Sequence, residues 1–344
     1  MADPVFAVRA AGQGDLRDIV ALRDLAGPGF TSLAVDDRTL GARLEQSFAH
    51  FAADITEPGA QRYILALEHI ETGRMVGLAG VKACIGTTQP FFNFRVLKIA
   101  QCSAAAQRRF DLDVLILVNE FMGCSEVGSL FVHPGYRAGG VGRALAQTRY
   151  MLMAAAPHRF CDTVVSELRG VVDEHGKSPF WEHLGRTFFR MDFAEADRFS
   201  AVTDNQFILD LMPKYPIYAD LLPAPARAVI GQAHADGAAA RKLLEWEGFR
   251  YADVVDIFDA GPILTAPRET IRTRRESRPF TLASTPAPVR PRRALIATPD
   301  FARFRCVACE ADVNDDVIAV TPAVQRALGV GAGENVIAWV GDAV

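Results

Sequence analysis

No apolar run reaches the roughly 18 residues that a membrane-spanning helix needs, and Met1-Ala2-Asp3-Pro4 is followed by neither a basic nor a hydrophobic leader segment. The expectation is a cytoplasmic protein with no membrane partner. Cysteine is sparse: six residues among 344, at 84, 102, 124, 161, 306 and 309, are too few and too scattered for a disulfide framework. An excess of one charge is missing as well. Lys and Arg total 37 against 41 acidic residues, a net charge of −4, with no concentrated basic helix, which argues against nucleic acid as a partner. The seven histidines, at 50, 69, 133, 158, 175, 183 and 234, contain no His-x-x-x-His pair, and Cys306-Val307-Ala308-Cys309 has no second cysteine pair. No metal site is expected.

What the chain does have is apolar bulk, 50% of its residues, enough for one large core or two moderate ones. Its most informative stretch is Ser129-Leu130-Phe131-Val132-His133-Pro134-Gly135-Tyr136-Arg137-Ala138-Gly139-Gly140-Val141-Gly142. A short apolar strand enters a Pro/Gly turn, and a glycine arch opens into a helix from Val141 to about Ala156. Glycines 140 and 142 admit a ligand close to the backbone, and first-turn N–H groups without intrahelical acceptors suit an anion. The spacing Arg137-x-x-Gly140-x-Gly142 is neither a dinucleotide fingerprint nor a P-loop, so a pyrophosphate held by main-chain amides fits better than nucleotide hydrolysis. An ordinary strand-to-helix turn is the plainer alternative.

Around this arch the pattern predicts a mixed α/β fold, a sheet flanked by helices. Val5 to Arg9 reads as a strand, Gln13 to Ala26 and Leu40 to Ala53 as helices separated by a turn over Pro28–Leu33, and Gln61 to Glu68 with Arg74 to Cys84 as a hairpin. Val114 to Val118 is a short apolar run, and Phe91-Phe92-Asn93-Phe94-Arg95 either walls a ligand cleft or, the plainer reading, fills core. Cys161 to Gly170 is a buried-strand signal, and Ser178-Pro179 opens a helix with serine at the cap. Beyond it, Gln206 to Met212, Pro225 to Ile230 and Ala238 to Glu247 read as helical, the last closed by Gly248, and Val254 to Phe258 as a strand. This second run echoes the first, a hint of duplication. Residues 266–293 read as an Arg/Pro-rich connector, and 294–344 as a small β-rich domain with one helix near Ala323 to Leu328.

Two ionisable side chains stand out by position. Glu167 interrupts the hydrophobic pattern at the end of its strand, where ligands collect in open sheets, and either binds a cation, removes a proton or pairs with a neighbour. His234, on the polar approach to the Ala238 helix, is the best-placed general acid/base, with a capping role as its alternative.

The arch with its strand and helix resembles the acyl-CoA-binding motif of GCN5-related N-acetyltransferases. A more specific likeness runs through Thr31-Ser32-Leu33, Phe92-Asn93-Phe94-Arg95-Val96, Gly123-Cys124-Ser125-Glu126, Glu167-Leu168-Arg169-Gly170, Ser178-Pro179-Phe180-Trp181, Met212-Pro213-Lys214-Tyr215-Pro216, Gly231-Gln232-Ala233-His234 and Asp256-Ile257-Phe258-Asp259-Ala260-Gly261-Pro262. Together these resemble the arginine N-succinyltransferase family, firmly through about residue 265. The resemblance implies an acyl-CoA-binding domain over 1–200 and a second, acyltransferase-like segment over 201–265 that completes the active site. It implies succinyl transfer from succinyl-CoA to the α-amino group of L-arginine in arginine catabolism, with succinyl-CoA as co-substrate and no tightly bound cofactor. Some relatives also accept ornithine and work as paired subunits, so a homo-oligomer or a pairing with a homologous chain is expected. The family's proton donor falls on His234, and its succinyl-CoA-contacting leucine on Leu130. Two departures stand out: Val127-Gly128-Ser129 replaces the usual Leu-Cys-Thr/Ser, and Ala235 replaces the usual proline.

The chemistry then needs a neutral amine, an oxyanion site and protonation of departing CoA. His234 suits the last task, backbone beside Leu130 the second, and Glu167 or a water chain the first. Arg95 or Arg169 is expected at succinate's distal carboxylate, and Glu126, Asp256 and Asp259 at the guanidinium. The rivals are an acetyltransferase of a small amine and a catalytically idle partner subunit.

Overall fold

Asp36 accepts the backbone N–H of Thr39 at 2.7 Å, and this cap starts the helix Asp37–Ala52 ahead of the expected Leu40. Its buried Leu40 and Leu44, with Ile19 and Leu22 of the helix Leu16–Ala26, pack on Ala66, Met75 and Leu78. The last three belong to the strands Arg62–His69 and Arg74–Lys82, paired antiparallel as the expected hairpin. The computed structural model describes residues 4–26, 33, 35–203 and 205–343. The turn expected over Pro28–Leu33, and the Thr31-Ser32 part of the family likeness, lie outside the described residues except for Leu33.

The chain divides into two units. One comprises Met1–Cys84, Ser125–Val164 and Pro267–Val344, the other Ile85–Cys124 and Val165–Ala266. In the first, strands Phe6–Ala10, Arg62–His69, Arg74–Lys82 and Ser125–Val132 are neighbours in that order, and Phe6–Ala10 continues the ladder onto Arg305–Asn314. From there the order is Val317–Val320, Arg278–Ser284, Asn335–Ala343 and Arg292–Ala297, and the last strand pairs back onto Arg305–Asn314. The five strands therefore close on themselves, which removes free sheet edges. Phe280, Leu282, Ile296, Val307, Ile318 and Ala338 fill the interior, and the helix Pro322–Leu328 adds Val324 and Leu328.

This closed β unit starts at Arg278, not at 294. Residues 266–293, expected as a connector, instead form the helix Arg272–Glu276 and the strand Arg278–Ser284. The expected β-rich domain with its single helix is present around it. Cys306 and Cys309 lie in the extended strand Arg305–Asn314 as free thiols, both pushed up to about 12 chiefly by burial, which suits a structural rather than redox role.

The helix Val141–Ala155 touches both the sheet and the barrel, and every residue from Leu145 to Met153 is buried. A helix with no solvent face is fixed by its surroundings, so its N-terminus is held rigidly. Gln147 within it donates to Thr273 Oγ1 at 2.8 Å, which satisfies a polar pair in the packed interface.

The second unit orders its strands as Val165–Glu167 (the end of Thr163–Glu167), Pro262–Pro267, Arg250–Asp256, Asn93–Ser103, Arg108–Val118 and Ile217–Tyr218. Its core gathers Phe94, Phe180, Trp181, Leu184, Val255 and Ile257. Here the Phe91–Arg95 group, read as filler, opens a long hairpin whose strands pair from Asn93↔Val118 to Ser103↔Arg108. The helix Ala238–Glu247 is closed by Gly248 at φ 102°, as its sequence indicated.

Candidate active site

In the first unit the strand Ser125–Val132 is bulged. Its register on Arg74–Lys82 moves from Gly80↔Gly128 to Leu78↔Phe131, which sets Ser129 and Leu130 against Ala79 alone. Ser129 carries φ 52°, a left-handed conformation that non-glycine residues seldom adopt. Such a bulge interrupts the ladder and re-aims the backbone beside Leu130. Arg137 is tied back to the strand end, its Nε donating to Val132 O at 2.8 Å and its guanidinium lying 5.1 Å from the Phe131 ring centroid.

Gly140 caps the following helix at φ 80°, ψ 11°, a conformation that requires glycine. Gly142 is different. It lies inside the first helical turn without a positive φ, and a Cβ placed on it would meet no protein atom within 4 Å. Glycine there costs about 1 kcal/mol of helix stability relative to alanine, and neither backbone conformation nor packing demands it.

In the second unit three chain segments are knotted together. His234 N–H donates to Arg169 O at 2.8 Å, Gly170 and Ala233 form an isolated antiparallel bridge, and Gly231 N–H donates to Ala260 O at 2.9 Å. Asp259 receives Gly170 N–H at 2.7 Å on one carboxylate oxygen and Gly261 N–H at 2.8 Å on the other. A Cβ on Gly261 would strike the Leu168 carbonyl oxygen and the Gly170 N–H, so the close approach of these strands excludes any side chain there. The result is a fixed frame for Glu167, Arg169, His234, Asp256 and Asp259.

His234 is partly covered, its side chain 22% exposed, and its Nδ1 accepts the Asp236 N–H at 3.2 Å, capping the turn Ala235–Gly237. With Nδ1 as acceptor the neutral ring carries its proton on Nε2, the tautomer this network assigns. Asp236 Oδ2 lies 3.5 Å from Nδ1. The capping role and an outward Nε2–H donor therefore coexist in one side chain.

Glu167 is half-buried and hydrogen-bonded to Asp256. Asp256 Oδ1 also accepts the N–H groups of Phe258 at 2.7 Å and Asp259 at 2.8 Å. Burial raises the Asp256 pKa. Burial, and then the charge of Asp256, push Asp259 up to about 8. A buried carboxylate cluster of this kind keeps protons to higher pH than free carboxylates do.

The other expected site residues are engaged elsewhere. Arg95 forms a two-pronged pair with Glu120, with Nη2 at 2.7 Å from both carboxylate oxygens. Glu126 pairs with Lys82 at 2.7 Å. The Arg169 side chain has no such partner among the described residues. Asn93 was passed over as a site residue by sequence reasoning. It lies opposite Asp256 in the ladder, fully buried, with both amide atoms unpartnered among the described residues.

Comparison with known proteins covers nearly the whole chain. A family model described as arginine N-succinyltransferase beta subunit matches residues 6–273, and its C-terminal-domain counterpart matches 278–339. The chain is 38% identical over 333 residues to an arginine N-succinyltransferase of Enterobacter sp. (strain 638), covering 96% of each protein. It is 40% identical over 323 residues to that of Salmonella paratyphi B, covering 93% of this chain and 94% of the relative. The solved structure of arginine/ornithine succinyltransferase subunit AI from Pseudomonas aeruginosa superposes with a TM-score of 0.88 at 31% identity, covering 98% of this chain and all of that one.

Proposed function

The chain belongs to the arginine N-succinyltransferase family, and from that premise we propose how its residues divide the reaction. The enzyme transfers the succinyl group of succinyl-CoA to the α-amino group of L-arginine, giving N2-succinyl-L-arginine and CoA. The observation that carries the reading is the family match along nearly the whole chain. Gly142 supports the placing of the co-substrate, since its missing side chain serves nothing in the protein itself.

On this reading Gly140, Gly142 and the first-turn amides cradle the pyrophosphate of succinyl-CoA, and Arg137 braces the arch through Val132. The bulged backbone at Leu130 lines the thioester and supplies donors to the developing oxyanion. Glu167 accepts the proton that the α-ammonium must lose, while Asp256 and Asp259 complete the negative surface that draws the amino acid in. On taking up a proton His234 becomes the imidazolium, gives its Nε2 proton to the departing thiolate and returns to the neutral ring. Arg169 is the better of the two arginines for succinate's far carboxylate, because Arg95 is already committed to Glu120. For the same reason Glu126, neutralised by Lys82, is the weakest candidate for the guanidinium.

Steady-state rates on L-arginine with succinyl-CoA and acetyl-CoA test the reading. Faster acetyl transfer would replace it by a general acetyltransferase. Ornithine belongs in the same assay as an alternative acceptor, given the arginine/ornithine naming of the Pseudomonas structure. That structure is also described as a subunit, and we infer a homo-oligomer or a complex with a homologous chain here. Light scattering decides between them, and turnover by the purified chain alone would exclude the idle-subunit alternative. Among the described residues no helix is long and apolar enough to cross a membrane.

A further inference from the structure

Asn93 begins the strand Asn93–Ser103 and is wholly shielded from solvent, yet neither Oδ1 nor Nδ2 has a hydrogen-bond partner among the described residues. A buried polar group left bare costs about 1–3 kcal/mol. Phe92 and Phe94 on either side are buried and apolar, so an aliphatic residue of the same size would suit the fold better. Stability gives no reason for asparagine at this position.

The ladder indicates what the amide faces. Asn93 is the direct antiparallel partner of Asp256, and directly opposed residues project from the same face with Cβ atoms about 4.5–5.5 Å apart. Asp256 is bonded to Glu167 and to the Asp259 N–H. A bare donor and a bare acceptor therefore adjoin a carboxylate cluster whose half-buried members, Glu167 and Asp256, meet solvent. A simple cation would use the carboxylates and Oδ1 but leave Nδ2 unmatched. A ligand that presents N–H groups and an acceptor oxygen on adjacent atoms matches all of them, and the α-amine and α-carboxylate of an amino acid are such a pair.

We propose that Asn93 binds the α-amino-acid head group of the acceptor, Oδ1 accepting from the α-amine and Nδ2 donating to the α-carboxylate. The proposal rests on the reading that the Glu167–Asp256 cluster receives the amino acid. It adds a selection rule. Asn93 distinguishes an amino acid from a plain amine of the same shape, and an aspartate at this position would keep the amine but repel the carboxylate.

The test compares L-arginine with agmatine, which lacks the α-carboxylate, as acceptors of succinyl-CoA in the full-length wild type, N93A, N93L and N93D. Each lost hydrogen bond to a charged group should lower kcat/KM about 10- to 10²-fold. In N93A and N93L arginine loses both contacts and agmatine only the one to its amine, so the arginine/agmatine ratio falls about 10- to 10²-fold, and in N93D, which keeps the amine contact, agmatine is largely spared while arginine is repelled. N93L should melt at or above the wild-type temperature, since it buries no unsatisfied amide. Calorimetric titration of L-arginine reads the same loss where turnover is too slow. Equal losses for both acceptors with a lowered Tm would make Asn93 merely structural, and an unchanged arginine Kd in folded N93L would overturn the proposal. Failure of the underlying reading looks different: a wild type that does not succinylate arginine, or E167Q and D256N with unaltered arginine kinetics.

Discussion

Replacing His234 by asparagine separates two jobs that alanine removes together. The ring's Nδ1 accepts the Asp236 N–H at 3.2 Å and so caps the Ala235–Gly237 turn. Asparagine carries its Oδ1 at the same remove from Cβ, so H234N keeps the cap and loses only the Nε2–H. Alanine loses both. Loss of a positioned proton donor lowers kcat about 10²- to 10⁴-fold, about 3–5 kcal/mol of transition-state stabilisation, and this should appear in both variants with KM for either substrate near wild type. Loss of the cap costs about 0.5–2 kcal/mol, which in a chain this large lowers Tm by a few degrees in H234A alone. Residual turnover should climb with pH in both, because a simple thiol ionises near 8.5 and CoA then leaves unaided. The assay is kcat and KM from pH 6 to 9 beside thermal melts. Wild-type kcat in folded H234N refutes the donor role and shifts the proton to Glu167 or water, while equal Tm losses in the two variants refute the capping geometry.

Three further outcomes are expected. G142V should keep wild-type stability to within about 1 kcal/mol of helix propensity, since a Cβ there meets no protein atom within 4 Å, yet weaken succinyl-CoA binding at least about 10-fold; unchanged affinity by calorimetry removes the pyrophosphate from this arch. Asp259, held at about 8 by burial and then by Asp256, binds a proton in the folded state that the unfolded chain has already lost above about pH 4. Its contribution to stability is therefore complete below that pH and is lost as pH rises through about 8, so the urea midpoint should fall from pH 5 to 9 and fall less steeply in D259N; identical slopes refute the assignment. Iodoacetamide at pH 8 should label exposed Cys102 in the native protein and spare Cys306 and Cys309, whose thiols burial holds at about 12; native labelling of Cys306 ahead of Cys102 counts against that burial.

The arch, its helix and the terminal strands were legible because their signals are local: glycines at set offsets, a helical period, a β-branched alternation. The Asn93–Ser103/Arg108–Val118 hairpin was not. Its outer residues are exposed on both faces, so no alternation marks them, and the chain reverses at Gln107, whose φ of 50° lacks the glycine or asparagine that announces such a turn. The Arg-rich 266–293 segment misled for a related reason. Its arginines and prolines hide the alternation of Phe280 and Leu282, which belong to the barrel core. At the site, position in the pattern singled out His234 and Glu167, and the charge a guanidinium needs pointed to Asp256 and Asp259. Partnership is a tertiary property, so neither the commitment of Arg95 to Glu120 nor the unpartnered amide of Asn93 was readable before the strands were paired.

The two corners to which the proposed chemistry is assigned are built alike. Each has a histidine whose Nδ1 accepts a backbone N–H two residues on, His133 from Gly135 at 3.1 Å and His234 from Asp236 at 3.2 Å. Each histidine starts a single 3₁₀ turn, Pro134–Tyr136 or Ala235–Gly237, on the way to a helix. The two corners differ in the chain beyond the turn, and that difference sets their use. After His133 the chain inserts Gly139 and Gly140, both at positive φ, ahead of the helix, while the imidazole stays in an aromatic group with Tyr136 at 5.4 Å. After His234 no such arch intervenes, and the Asp236 carboxylate lies 3.5 Å from Nδ1. One corner presents amides and the other a proton. Thioester aminolysis needs both, since an amide cradle alone binds acyl-CoA without releasing the thiol, and a proton donor alone has nothing to protonate. A related chain that kept the cradle but lost the histidine of the second corner would remain a competent acyl-CoA binder, so binding measurements alone cannot separate an enzyme of this family from an idle partner. On the proposed division of the reaction, His234, with its tautomer set by the Asp236 N–H, is the residue whose presence separates the two.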